Sequence, residues 1–196
     1  MDVTYKTEYQ YMPFIVRELE DLVGGLSLSL ADLRKDIDSV PPGAFVGVDE
    51  NGLGHILVAA VLSADATSSD TEYRVKKGHQ FKVGQFVTSG DAASVKAYAI
   101  TAIDVSNADY DVITVGTTLG VALPLGSTLH QVTAQDETGG KGEAPYKPLG
   151  ITKREVITTG SHASNGVLLR GTVNVANMAF GAPKVFRNAL PLIRFE

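Results

Sequence analysis

The sequence predicts a mainly β protein: a β-sandwich or barrel-like domain with a short α-helical N-terminal arm. Apolar and polar residues alternate with a period of two over much of the chain after residue 42, which is the pattern of half-buried strands. Turn-forming residues interrupt this pattern about every ten positions, a spacing typical of sandwiches and barrels rather than of alternating strands and helices. The 196 residues include 20 glycines and 8 prolines, which suits the many turns of such a fold.

Residues 1–42 are predicted to form the arm. Apolar side chains recur at steps of three and four over residues 13–25, which predicts a helix that ends at a Gly-Gly pair. A second short helix is predicted over residues 29–37, where three apolar side chains share one face. Neither helix is long enough to be stable in isolation. The arm is therefore expected to pack on another surface, for anchoring or for oligomerisation.

The apolar and aromatic side chains of this arm are the candidates for contact with a partner. An aromatic residue supplies a large contact area and, in tyrosine, a polar group as well. The alternative is that the same side chains cover one open end of the β domain within the same chain. The candidate partner-binding residues are Tyr9, Tyr11, Phe14, Ile15, Leu19, Leu22, Leu30 and Leu33.

Residues 43–196 are predicted to form the β domain. Asn51-Gly52 lies between two apolar runs, which is a strong hairpin signal. Residues 71–76 alternate strictly, so that Tyr73 and Val75 are expected to face inward. The remaining predictions are a second hairpin over residues 95–115, an exposed loop over residues 134–148 and strand-like sequence over residues 189–195.

Charge and hydropathy exclude two classes of partner. The 22 acidic and 17 basic residues give a net charge of −5, which does not favour nucleic acid. The longest apolar run, residues 56–62, is far shorter than the roughly 20 residues of a membrane-spanning helix. The chain opens without a basic segment followed by an apolar core, so no signal peptide is expected. We therefore expect neither nucleic acid nor a membrane as partner.

Side chains that carry chemistry are few and scattered. The absence of cysteine excludes a thiol nucleophile and a disulfide framework. Asn107, Asp109 and Asp111 match the first three ligand positions of a calcium loop, but the glycine and glutamate that should follow are missing. A tight turn uses the same residues. Four histidines are never at metal-ligand spacing: His55, His79, His130 and His162. We expect no catalytic residues, no metal and no cofactor.

Three segments resemble the head fibre or capsid decoration proteins of tailed bacteriophages. They are residues 97–123 (AYAITAIDVSNADYDVITVGTTLGVAL), residues 171–176 (GTVNVA) and residues 188–195 (NALPLIRF), and the resemblance covers residues 43–196. It implies a structural virion protein without enzymatic activity, whose β domain lies on the capsid surface or projects from it.

The same resemblance implies how such a protein assembles. The expected partners are the major capsid protein and further copies of this chain, with a trimer favoured, on a particle assembled in the cytoplasm of a bacterial host. The alternative is a carbohydrate-binding module of a tail, a baseplate or the host surface, with a host-surface glycan as partner.

Overall fold

The computed structural model describes residues 13–139 and 142–196. Strand accounts for 42% of the structure and helix for 5%, so the mainly β class predicted from the sequence is confirmed. The strands are β1 (Ile15–Asp21), β2 (Leu26–Ser29), β3 (Ser39–Val40), β4 (Phe45–Val48), β5 (Gly54–Ile56), β6 (Ala59–Val61), β7 (Glu72–Lys76), β8 (Phe86–Ser89), β9 (Tyr98–Asp104), β10 (Tyr110–Val115), β11 (Thr128–Val132), β12 (Lys147–Thr152), β13 (Val156–Ile157), β14 (His162–Asn165), β15 (Val167–Val173) and β16 (Ile193–Phe195). A 3-10 turn (Val175–Asn177) and the short helix α1 (Lys184–Ala189) precede β16.

The larger sheet is built from both ends of the described chain. Its strand order is β1-β15-β12-β4-β5-β2-β14, and β16 also pairs with β15. Most pairs are antiparallel, whereas β16 runs parallel to β15 and β2 runs parallel to β5. Strands β1 and β2 therefore share one sheet with strands that follow residue 42.

The smaller sheet is built from the middle of the chain. Its six strands follow the order β6-β11-β8-β9-β10-β7. The sheet curls until its two outer strands meet, because Leu62, directly after β6, forms a β-bridge with Val75 of β7. The chain enters this sheet at Leu57 and Val58, directly after β5, and leaves it after β11.

Each sheet has its own hydrophobic core. The core of the larger sheet includes Phe45, Val46 and Phe186. The core of the smaller sheet includes Tyr73 and Val75, which are fully buried as the alternating sequence predicts. Strands β3 and β13 form a third sheet of two strands.

Both predicted hairpins are present. Strands β4 and β5 pair antiparallel around the Asn-Gly turn, in which Gly52 has a φ of +78°. That conformation costs glycine little because it has no Cβ. Strands β9 and β10 form the second hairpin, with Val112 opposite Asp104.

The helical N-terminal arm is a wrong prediction for the described residues. Residues 15–21, expected to be helical, form β1 and pair antiparallel with β15. The second helix, predicted over residues 29–37, does not form either, because Ser29 ends β2 and residues 30–38 form turns and bends. The helical periodicity of a short segment is a weak signal, because an isolated helix of this length is marginally stable and tertiary pairing, here with β15, overrides its propensity.

The strand predicted over residues 189–195 is present only at its end. Residues 193–195 form β16, but residues 184–189 form α1, where the sequence predicts no helix. Phe186 of α1 is fully buried and lies 5.4 Å, centroid to centroid, from Phe45. No helix of the described residues is long and apolar enough to cross a membrane.

Gly171 of β15 lets β1 approach closely. A Cβ at this position would lie 2.3 Å from the backbone oxygen of Arg17, which cannot move without displacing β1. We expect Gly171→Ala to lower the free energy of unfolding by about 1–3 kcal/mol and to speed amide exchange in β1. Gly116→Ala is the control, because its Cβ would meet Thr101 at an ordinary 3.6 Å. Equal effects of the two substitutions would contradict this packing.

Candidate functional site

Strand β1 is one of the two terminal strands of the larger sheet, and it is exposed. We call β1 and the turn over residues 22–25 the β1 edge. In β1, Val16 is 60% exposed and Leu19 is 52% exposed. The five central residues of the strand are all exposed, so β1 meets solvent on both faces. Within the described part of the chain, β15 is the one strand that pairs with β1.

Ion pairs with Lys153 and a backbone hydrogen bond to Val167 hold β1 and the turn that follows it. Lys153 Nζ lies 2.5 Å from Glu18 Oε1 and 2.8 Å from Asp21 Oδ2. The hydrogen bond from Lys153 lowers the pKa of Asp21, and the same pairing raises the pKa of Lys153. After the strand, Leu22 N–H donates to the backbone oxygen of Val167 at 2.9 Å.

The turn that follows β1 borders an open cleft. Val23 at its tip is 95% exposed. The cleft has a volume of about 490 Å³ and is lined by this turn together with Lys153, Arg154 and Asn165. Asn165 fixes the far wall, because its side chain accepts from Arg154 N–H at 3.2 Å and donates to Arg154 O at 2.9 Å. The β1 edge thus combines apolar side chains, charges and a concave surface.

The predicted partner-binding residues that the structure describes fall into three groups. Phe14, Leu30 and Leu33 are buried in the core of the larger sheet. Ile15 and Leu22 are half-buried against that core. Leu19 is exposed, and Tyr9 and Tyr11 lie outside the described residues. Val16 was not among the predicted contact residues, since the helical pattern gave no reason to expect it at an exposed strand edge.

The histidines lie in separate environments. His55 on β5 is the most elaborate, since its Nδ1 lies 2.8 Å from Asp32 Oδ2 and its Nε2 lies 3.6 Å from Asp49 Oδ2. The ring of Tyr146 stacks on it at 3.8 Å. Burial and the two carboxylates raise the pKa of Tyr146. The cluster connects three loops of the larger sheet. Its members come from separate segments of the chain, so no motif in the sequence predicts it.

His79 is fully buried in the loop between β7 and β8. Its Nδ1 accepts from Phe81 N–H at 3.2 Å, which leaves the ring proton on Nε2, 3.3 Å from Asp111 Oδ2. Asp111 in turn pairs with Lys77 at 2.8 Å. Burial, with help from the nearby Arg34 guanidinium, lowers the pKa of His79 to about 4.

His130 of β11 is also buried and is packed edge-on against Phe186 of α1, with ring centroids 5.4 Å apart. Burial lowers the pKa of His130 to about 4, although the carboxylate of Asp91 partly opposes the shift. Because β11 belongs to the smaller sheet and α1 to the core of the larger one, this contact joins the two halves of the molecule.

The acidic cluster forms a hairpin turn. Asn107 Oδ1 accepts from Asp109 N–H at 2.9 Å, and Asp104 Oδ1 accepts from Ser106 N–H at 2.9 Å. Asp111 points away into the pair with Lys77. Across residues 13–139 and 142–196, no three His, Asp or Glu side chains converge to hold a metal ion. In the predicted loop over residues 134–148, Gly140 and Lys141 lie outside the described residues.

Comparisons with known proteins add no family assignment. No family model, no curated protein and no solved structure matches the chain. The geometry of the β1 edge is therefore the main guide to function.

The two buried histidines predict a loss of stability in acid. Each has a folded-state pKa of about 4, below its ordinary 6.5, so between these values the unfolded chain binds protons that the folded chain does not. Stability therefore falls as the pH drops, by about 2 kcal/mol for each histidine at pH 5. Urea unfolding at pH 7 and pH 5 should show a loss that is about 2 kcal/mol smaller in His130→Gln than in the parent. Equal losses in the two proteins would contradict the assignment.

Proposed function

We propose that this chain is a structural virion protein, a capsid decoration or head fibre protein. It binds the assembled shell of major capsid protein as a homo-oligomer and projects its β domain outward. The proposal combines the resemblance of residues 43–196 to that family with one structural observation, the β1 edge. In this role the protein acts by binding and not by catalysis.

The β1 edge carries the proposal because an exposed edge strand is a template for contact with another chain. Unpaired backbone groups of such a strand can accept a further strand from a partner. Soluble monomers usually protect an edge, and the charges of Arg17, Glu18 and Glu20 serve that purpose here. Val16 and Leu19 are exposed among those charges, so a matching partner gains apolar contact as well. This edge joins the chain to the particle, through a sister subunit or through the shell.

Repetition on the capsid strengthens such a contact. A shell presents many copies of one binding site, and an oligomer can engage several of them at once. The second contact is then intramolecular, so that a modest affinity of each subunit gives tight overall attachment. A small contact surface on each subunit is therefore sufficient for attachment to the capsid.

A charge in the middle of the β1 edge is expected to prevent attachment. Leu19→Asp places a carboxylate where the partner requires an apolar side chain, and we expect it to weaken co-sedimentation with empty phage capsids about tenfold or more. The control is Val83→Asp, because Val83 is 60% exposed on the loop between β7 and β8, away from β1.

The outcomes separate the proposal from its alternative. Loss of pelleting in Leu19→Asp, with retention in Val83→Asp and unchanged circular dichroism in both, supports attachment through the β1 edge. A parent protein that never pellets with capsids contradicts the proposal. If that protein instead binds members of a glycan array, the carbohydrate-binding alternative replaces it.

A further inference from the structure

A second cleft lies where the smaller sheet meets the C-terminal segment. It has a volume of about 450 Å³. Leu125, which is 63% exposed, lies on the side of the smaller sheet, and Met178 lies on the side of the C-terminal segment. Lys76 and Arg187 bring positive charge to the same cleft. We call this surface the Arg187 cleft.

Arg187 has no partner for its charge among the residues that the structure describes. Its Nε is buried and makes no hydrogen bond. The one carboxylate that lines the cleft, Asp91, is engaged by Thr128, whose hydroxyl donates to it at 2.8 Å. An arginine offers five donors in a fixed plane, and a desolvated guanidinium is stabilised by a carboxylate that accepts from two of them. The cleft is therefore suited to an acidic segment that also carries an apolar side chain.

The β1 edge presents such a segment. Leu19 is exposed between Glu18 and Glu20. Glu18 is engaged by Lys153, whereas Glu20 makes no hydrogen bond or ion pair within the described ranges. The two surfaces are thus complementary, with carboxylate and leucine on one and guanidinium, ammonium and exposed leucine on the other.

We propose that the Arg187 cleft of one copy receives the β1 edge of a second copy. Because adjacent side chains of a strand point to opposite faces, Glu20 pairs with Arg187 on the wall formed by the C-terminal segment, and Leu19 lies against Leu125 on the wall formed by the smaller sheet. This inference rests on the proposed function, since it names the partner of the β1 edge in the homo-oligomer. The capsid is then bound by the assembled oligomer.

The positions of the two surfaces make the contact head-to-tail. The cleft is lined by Val175, just past Val173, which is the partner of Ile15 at the start of β1. Glu20 lies toward the other end of β1, about 15 Å along the strand. One copy therefore cannot fill its own cleft with its own β1. Contacts between two different surfaces close into a ring when the rotation permits, as in a trimer.

Charge exchange tests this contact. Arg187→Glu and Glu20→Arg each place like charges together, and each is expected to raise the dissociation constant of the oligomer about tenfold or more, measured by sedimentation velocity. The variant with both substitutions restores opposite charges and is expected to return within about threefold of the parent. Glu72→Arg is the control, because Glu72 is an exposed acid of β7 outside the cleft.

Two results would overturn the proposal. The first is a double variant that assembles no better than the single variants. The second is an oligomer that resists every charge substitution but dissociates when residues 1–12 are removed, because the N-terminal segment would then be the occupant of the cleft. Co-sedimentation with capsids is measured on the same proteins. An intact oligomer that fails to pellet counts against the proposed function, whereas pelleting without charge-dependent assembly counts against this contact.

Discussion

The pairing of β1 with β15 is the contact on which the rest of the molecule depends. Strand β15 holds β1 along one edge, and along the other it holds β12 at Val167 and Leu168 and β16 from Gly171 to Val173. The first and last strands of the described chain therefore meet on one strand. The close approach at Gly171 makes this possible, since any side chain there would meet the backbone of β1. Among the residues that the structure describes, no strand pairs with the other side of β1.

The middle of the chain forms a second body with its own core. The chain leaves the larger sheet after β5, forms the smaller sheet over residues 59–132 and returns to the larger sheet through the segment before β12. The contact of His130 with Phe186 joins the smaller sheet to α1, and the Arg187 cleft opens at this junction. A buried neutral histidine at the junction makes the attachment of the two halves weaker in acid. The Arg187 cleft thus follows from how the two bodies are connected.

The sequence predicts strands well where alternation and turn chemistry agree. Tyr73 and Val75 alternate with charged residues, and Asn51-Gly52 demands the conformation that a tight hairpin needs, so local physics decides these elements. The N-terminal segment is different. Its spacing fits a helix as well as an irregular edge strand, and the deciding partner, β15, lies about 150 residues further along the chain.

The same limit applies to the candidate site. Leu19 was predicted as a contact residue and is exposed on β1, although on a strand and not on a helix. Phe14, Leu30 and Leu33 looked identical to it in the sequence, yet they are buried in the core. The Arg187 cleft and the His55 cluster gave no sequence signal, because their residues come from distant segments that the fold brings together. The spacing of apolar residues predicts which side chains pack against other residues. It does not tell whether that packing occurs in the core of the chain or at an interface with another protein.

Amide hydrogen exchange over residues 14–21 tests the central claim most directly. Over residues 13–139 and 142–196, β15 pairs with one side of β1 and no strand pairs with the other. The account predicts that exchange in this segment slows when the protein is assembled on capsids, while exchange in β7 and β10 stays the same. Unchanged exchange over residues 14–21 in capsid-bound protein would contradict the claim that the β1 edge joins the chain to the particle.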